Sequence, residues 1–227
     1  MKDYGFLAIW CEISAEDLDD YRAWLTQEHI ADRTFSPGFL GVRVFEELDN
    51  PLAHFILYAT DGPEVLNGAE YKAILDNPSP WTQRIMPKFG PFDRALGHQI
   101  LKIGNGFGSH VAIWKVRLTS PALDTAHLNE ELSIYLGKDG IVSLRVCQLN
   151  HDTTDRHSVE KTMRGGNEGD FDLLLVAETT DASSVLAAKT HLSEALPNLF
   201  QHFSEADGKC FRMFYGEAAH EGPSLSL

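Results

Sequence analysis

Cysteine is scarce in this chain: three in 227 residues, Cys11, Cys147 and Cys210, none close enough to another to make a CxxC pair. A cysteine-built zinc site therefore has no footing, and a scattered, odd set fits free thiols in a reducing compartment. The ten histidines show no HxH, HxxxH or HExxH spacing, so no metal is expected. A GxSxG nucleophile elbow is also missing. Gly104-Asn105-Gly106-Phe107-Gly108 lacks the GxGxxG pattern leading into a helix and reads as a linker. No apolar run approaches the roughly 20 residues that span a bilayer. Met1–Glu12 runs into a strand-like segment without the features of a signal peptide, so a cytoplasmic location is the expectation. Basic residues are in deficit, 19 against 33 acidic, for a net charge of −14. That balance argues against nucleic acid and against anionic membrane surfaces as partners.

What is present is an internal repeat. Leu7-Ala8-Ile9-Trp10 returns 104 residues later as Val111-Ala112-Ile113-Trp114. Val42-Arg43-Val44 returns 102 residues later as Leu144-Arg145-Val146, and Phe55–Ala59 has the character of Leu173–Ala177, 118 residues on. The order is conserved between the halves, and the change of offset needs a single insertion, in the polar stretch 150–169. That stretch contains His151, Arg156, His157, Lys161 and Arg164 and would form either a mobile hairpin or a lid over a pocket.

Each copy reads β-α-β-β-α-β. In the first, residues 5–12, 39–46, 53–60 and 93–103 have strand character. Ser14 is placed to cap a helix whose inward stripe is Leu18, Tyr21, Leu25 and His29. A second helix starts at Pro63, and a short helical piece surrounds Trp81–Ile85. In the second copy, strands are expected over 109–118, 140–149, 171–179 and 209–216, with helices over 121–136 and 182–203, the latter bent by Pro197. Domain boundaries follow at 1–106 and 107–227. Strand residues alternate between faces, and both faces are apolar in the first strand, Leu7, Ile9 and Cys11 on one side, Phe6, Ala8 and Trp10 on the other. Helices cover one face of such a sheet; the other needs a second sheet, with Trp10 and Trp114 expected between the two.

The run Trp24-Leu25-Thr26-Gln27-Glu28-His29, followed by Arg33, Pro37-Gly38-Phe39 and Arg43, together with Tyr71–Arg84, resembles the dimeric α+β barrel superfamily in a tandem-fused form, with EthD-like and muconolactone-methylisomerase-like proteins as the look-alikes. The resemblance spans residues 4–103 and, in worn form, 109–217. It implies an α+β fold of two ferredoxin-like repeats closed into an intramolecular barrel with antiparallel sheets, and a pocket between helices and sheet. The superfamily includes cofactor-free monooxygenases, isomerases and haem-degrading enzymes, so the fold does not name a reaction. A haem role has no marker in the sequence, and no cofactor is expected.

His29 is the candidate catalytic residue, since an inward imidazole can take or give a proton near neutral pH; the plainer account is a core histidine bonded to a carbonyl. Its counterpart in the second copy is Glu131. Arg33 and Arg43 are candidates for holding a carboxylate or enolate, against a salt bridge to a neighbour such as Asp32. Tyr21, Trp24 and Trp81 are candidate pocket walls or ordinary core. His54 is a candidate second histidine if its hairpin folds toward His29. Two functions follow: a cofactor-independent isomerase, lyase or monooxygenase acting on a small carbonyl or aromatic compound, and a protein that only binds such a ligand. The chain is expected to be a monomer with an internal pseudo-dimer, or a homodimer.

Overall fold

The computed structural model describes residues 3–120, 122–151, 158–200 and 202–219. Eight strands carry the fold: β1 (Gly5–Glu12), β2 (Phe39–Glu47), β3 (Ala53–Thr60), β4 (Phe92–Ile103), β5 (His110–Leu118), β6 (Ile141–Leu149), β7 (Leu173–Thr179) and β8 (Phe203–Ala218). They close into one barrel in the order β1-β3-β2-β8-β5-β7-β6-β4, with every strand pairing antiparallel. Within each half the order is the ferredoxin-like one, fourth strand, first, third, second. The seams β2–β8 and β4–β6 join the halves and leave the barrel without an open edge.

The alternation of apolar residues produces three cores. Inside the barrel, Phe6, Ala8, Phe45, Phe55, Val111 and Ile113 meet. Outside the first half, a broken helix packs on the sheet through Tyr21, Trp24, Leu25 and Ile30. It comprises α1 (Leu18–Trp24), a π-helical turn (Leu25–His29) and α2 (Ile30–Thr34). The same layer holds α3 (Ala69–Asp76) and α4 (Pro80–Ile85). Outside the second half lie α5 (Thr125–Ser133) and α7 (Ala182–Leu199). Between them in the chain, α6 (Val159–Arg164) belongs to the insertion and packs on the first half.

Three expectations need correction. Trp10 does face the barrel interior, its ring centroid 5.1 Å from Phe55 and 5.6 Å from Phe171. Trp114 does not: it is fully buried on the outer face, where its indole N–H donates to Ser193 Oγ at 3.0 Å. The reason is register. Val44 pairs with Ile56 and Ile56 with Ile9, while Val146 pairs with Leu175 and Leu175 with Trp114. The structural partner of Trp114 is therefore Ile9, 105 positions earlier, and the look-alike Trp10 is one residue out, which in a strand means the opposite face. Ser14 does not cap α1; its hydroxyl bonds Asp17 at 2.9 Å, and the helix begins at Leu18. The last helix runs through Pro197 and ends at Leu199 rather than 203: the backbone turns extended at Phe200 (φ −124°, ψ 90°), whose N–H still reaches Leu196 O at 2.8 Å, and β8 starts at Phe203.

Candidate functional site

His29 sits in the π-turn between α1 and α2. A π-turn widens the helix by one residue, and such turns often occur at functional sites. Here it leaves Trp24, Leu25, His29, Ile30 and Arg33 all buried on one side. Trp24 is held by a 3.1 Å bond from its indole N–H to Thr82 Oγ1 on α4, and the His29 ring lies 4.0 Å from the indole.

These side chains wall a cavity of about 50 Å³ between the broken helix, the outer face of the first-half sheet and α6. Leu7, Ile56, Phe89 and Phe92 supply apolar surface. Two polar atoms in it are buried without a partner among the described residues, His29 Nδ1 and the Tyr58 hydroxyl. Burial, with Arg33 adding to it, holds the His29 pKa well below its usual value, so the imidazole is neutral. Burial likewise raises the Tyr58 phenol, opposed by Arg33, so Tyr58 keeps its proton as a donor.

The cover over this cavity comes from the other half of the chain. Ser158 caps α6 by accepting from Lys161 N at 3.1 Å. Gly165 and Gly166 end it at φ of +61° and +86°, and a Cβ on Gly166 would stand 2.6 Å from the Phe92 carbonyl oxygen. Asn167 then pairs with β4, its N–H donating to Phe92 O at 2.9 Å. Glu160 reaches into the cavity and binds Arg33 at 2.6 Å, with both side chains under a tenth exposed. Burial is the largest single influence on Arg33 and disfavours its charge; Glu160, together with Tyr58 and Tyr71, more than offsets it and raises the pKa. Glu168, just beyond α6, pairs with Arg94 on β4 at 3.4 Å and with Arg164. Residues 158–169 of the insertion are thus seated over the first-half cavity. Arg156 and His157 lie outside the described residues.

Of the seven residues singled out in the sequence, His29, Trp24 and Arg33 line this cavity. Arg33 takes Glu160, not Asp32, as its partner. Tyr21 stands one layer behind, its ring 6.1 Å from Trp24 and its hydroxyl 3.5 Å from Cys11 Sγ. Trp81 pins α4 to α1 through a 3.0 Å bond to Asp20. Arg43 is on the other side of the sheet: its neighbours Val42 and Val44 face the helices, so it points into the barrel, where it meets Glu178 at 2.6 Å. His54 packs on Tyr21 at 4.8 Å and Phe214 at 5.7 Å, so Tyr21 and Trp24 stand between the two histidines. Glu160, Arg94, Arg164 and Tyr58 were not singled out as parts of a site. Tyr58 and Arg94 carry no signal beyond strand alternation; the insertion's charges were visible but not where they dock.

His54 has a structural consequence. A carbonyl can only accept, so Nδ1 donates to Leu52 O at 3.1 Å and Nε2 is left as an unpaired acceptor. Burial, then Arg22, pushes the pKa down to about 4. The unfolded chain takes up this proton near pH 6.5 and the native chain does not, so stability falls as pH drops from about 6.5 to about 4, by about 3 kcal/mol for this group. His29 acts in the same direction. In His54→Phe, with an aromatic ring retained between Tyr21 and Phe214, the urea midpoint should fall less between pH 7 and pH 4.5 than in the wild type. An unchanged slope would show that His54 is solvated.

Among the described residues no group of three or more His, Cys, Asp or Glu side chains is placed to hold a metal ion, and no helix is long and apolar enough to cross a membrane. No family model matches the sequence, and no curated protein does. Solved structures do match. An anthrone oxidase-like protein superposes with a TM-score of 0.68 at 11% identity, over 100% of this chain and 98% of that one. A candidate monooxygenase from Fusobacterium nucleatum subsp. nucleatum gives 0.59 at 11% identity, over 96% of both chains. A mutant chlorite dismutase from Candidatus Nitrospira defluvii gives 0.55 at 11% identity, over 94% and 91%. At this level of identity the likeness is one of fold: the chain is an α+β protein of the ferredoxin-like type, closed as an eight-stranded antiparallel barrel.

Proposed function

We propose that this protein is a cofactor-independent monooxygenase acting on a small aromatic carbonyl compound bound beside His29. One observation carries the reading: a neutral imidazole with a free ring nitrogen and a protonated phenol with no partner share one aromatic-walled cavity. A base and a hydrogen-bond donor held apart from water are the parts needed to ionise a carbon acid next to a carbonyl. His29 takes the proton from the activated CH₂, and Tyr58 donates to the enolate oxygen that develops. The electron-rich carbanion then reduces O₂ directly, giving a hydroperoxide on that carbon once a proton returns. Loss of water converts the hydroperoxide to a ketone, so CH₂ and O₂ become C=O and H₂O. Structural neighbours named as an anthrone oxidase-like protein and a candidate monooxygenase make this class of reaction the natural one to test first.

The test is incubation under ¹⁸O₂ with a panel of benzylic ketones and anthrones, followed by mass spectrometry. One labelled oxygen atom in an enzyme-dependent ketone product is the expected result. The closed cavity, about 50 Å³, holds a few waters but not a benzene ring, so it opens to admit a ligand both on this reading and on a second one. On that reading the protein only sequesters a ligand, and the panel would raise the melting temperature while coming back chemically unchanged.

A further inference from the structure

We infer that the ligand of the His29 cavity is a mono-anion, an aromatic body with one carboxylate or phenolate, whose charge completes the arginine set gathered under α6. This rests on the pocket described above and adds the charge of its occupant. The observation is an imbalance. Arg33, Arg94 and Arg164 all line the cavity, and among the described residues Glu160 and Glu168 answer them. Glu168 is shared: Arg94 lies 3.4 Å from it, Lys161 3.8 Å, and Arg164 also binds it; Lys161, with its side chain 24% exposed, is the one of these cations that water screens, which leaves the buried excess to the arginines. Side-chain exposures are 4% for Arg33, 11% for Arg94 and 5% for Arg164, so bulk water does little to screen the surplus. His29 contributes no charge, and Asp32, next to Arg33, is exposed to solvent. A chain with a net charge of −14 thus buries a local positive excess against aromatic walls.

The aromatic part of the ligand has a matching floor. The Arg164 guanidinium lies 4.2 Å over the Phe92 ring, and Phe92 in turn packs 5.4 Å from Phe89. Arg164 already donates from Nη1 to the Gly165 carbonyl at 2.8 Å and from Nη2 to Glu168; its remaining N–H groups are the donors left for a ligand carboxylate, in the fork in which arginine outperforms lysine. Glu160 shows the chemistry already in use: it is a carboxylate delivered from α6 into the same cavity onto a buried arginine. Because the cavity is small, an aromatic ligand enters as α6 lifts, and its own anion can then take over the contact that Glu160 makes.

The experiment compares 2-naphthoate with its neutral isostere 2-naphthamide on the full chain, by calorimetry for affinity and by the Trp24 indole N–H resonance for location. Naphthoate is expected to bind about tenfold more tightly or better. In Arg164→Gln, where two buried arginines face two carboxylates, that preference should shrink to within about threefold, any loss of the ring contact at Phe92 being shared by naphthamide. Glu160→Gln, which enlarges the excess, should strengthen naphthoate binding; if that variant does not fold, Arg164→Gln decides alone. Equal binding of the two probes beside Trp24, or a preference that survives Arg164→Gln, overturns the charge assignment and leaves the pocket standing. No shift of the Trp24 signal with either probe overturns the pocket reading as well.

Discussion

Turnover by His29→Ala is expected to fall about 10²- to 10⁴-fold in kcat/KM, the usual contribution of a positioned general base. At about 1.4 kcal/mol per factor of ten this corresponds to about 3–5 kcal/mol of transition-state stabilisation. Truncation also empties space beside the Trp24 indole, 4.0 Å away. His29→Phe is the cleaner variant, since it keeps a ring on that indole and removes only the nitrogen lone pair. Both variants should show the same rate loss, and His29→Phe should retain the wild-type unfolding midpoint. The pH profile gives an independent check. The active form is the neutral imidazole, and burial holds its pKa well below 6.5. Wild-type kcat/KM should therefore stay level as pH falls through about 6.5, where an exposed histidine would already be losing activity. Wild-type rates in both variants would remove His29 from the chemistry and leave a core histidine stacked on a tryptophan.

The fold was legible because its determinants are local and repeated. The two apolar faces of β1 demanded cover on both sides, and the order of strands and helices allowed few ways to provide it. Register was less legible. The tetrapeptides ending in Trp10 and Trp114 look alike, yet ladder pairing makes Ile9, not Trp10, the position equivalent to Trp114. A one-residue slip leaves composition unchanged and reverses every side chain, so sequence similarity alone could not place Trp114 on the helix side, where Ser193 receives its N–H.

The site was half legible for the same kind of reason. The stripe Tyr21, Leu25, His29 follows helical spacing, so burial of His29 could be anticipated. Arg43 could have been separated from His29 by strand parity, because Val42 and Val44 claim the helix-facing side. Nothing local announces Glu160: its partner Arg33 is 127 residues away, and the contact depends on how an insertion in one half lies across the other. Tyr58 is similar. Only the assembled cavity shows that its hydroxyl has no partner.

That long-range contact should dominate the stability of the first half. Arg33→Met leaves the Glu160 carboxylate buried without its guanidinium, and Glu160→Leu does the converse; each is expected to cost about 3–5 kcal/mol, as for other buried pairs broken on one side. The loss is mostly that of an abandoned charge, so removing both partners should be far milder. Arg33→Met with Glu160→Leu replaces the pair by apolar groups of similar reach, against Tyr58 and Tyr71 already in the cavity wall. Desolvating two ions roughly cancels their attraction, so this double variant should lie near wild-type stability or above it, with a coupling energy of several kcal/mol between the sites. Urea midpoints at constant m-value read all four corners of the cycle. Single variants costing under about 1 kcal/mol would mean that water reaches the pair, as in an exposed salt bridge, and that α6 does not seal the cavity. A double variant that unfolds as readily as the singles would locate the loss in packing of the side-chain stems instead of in charge.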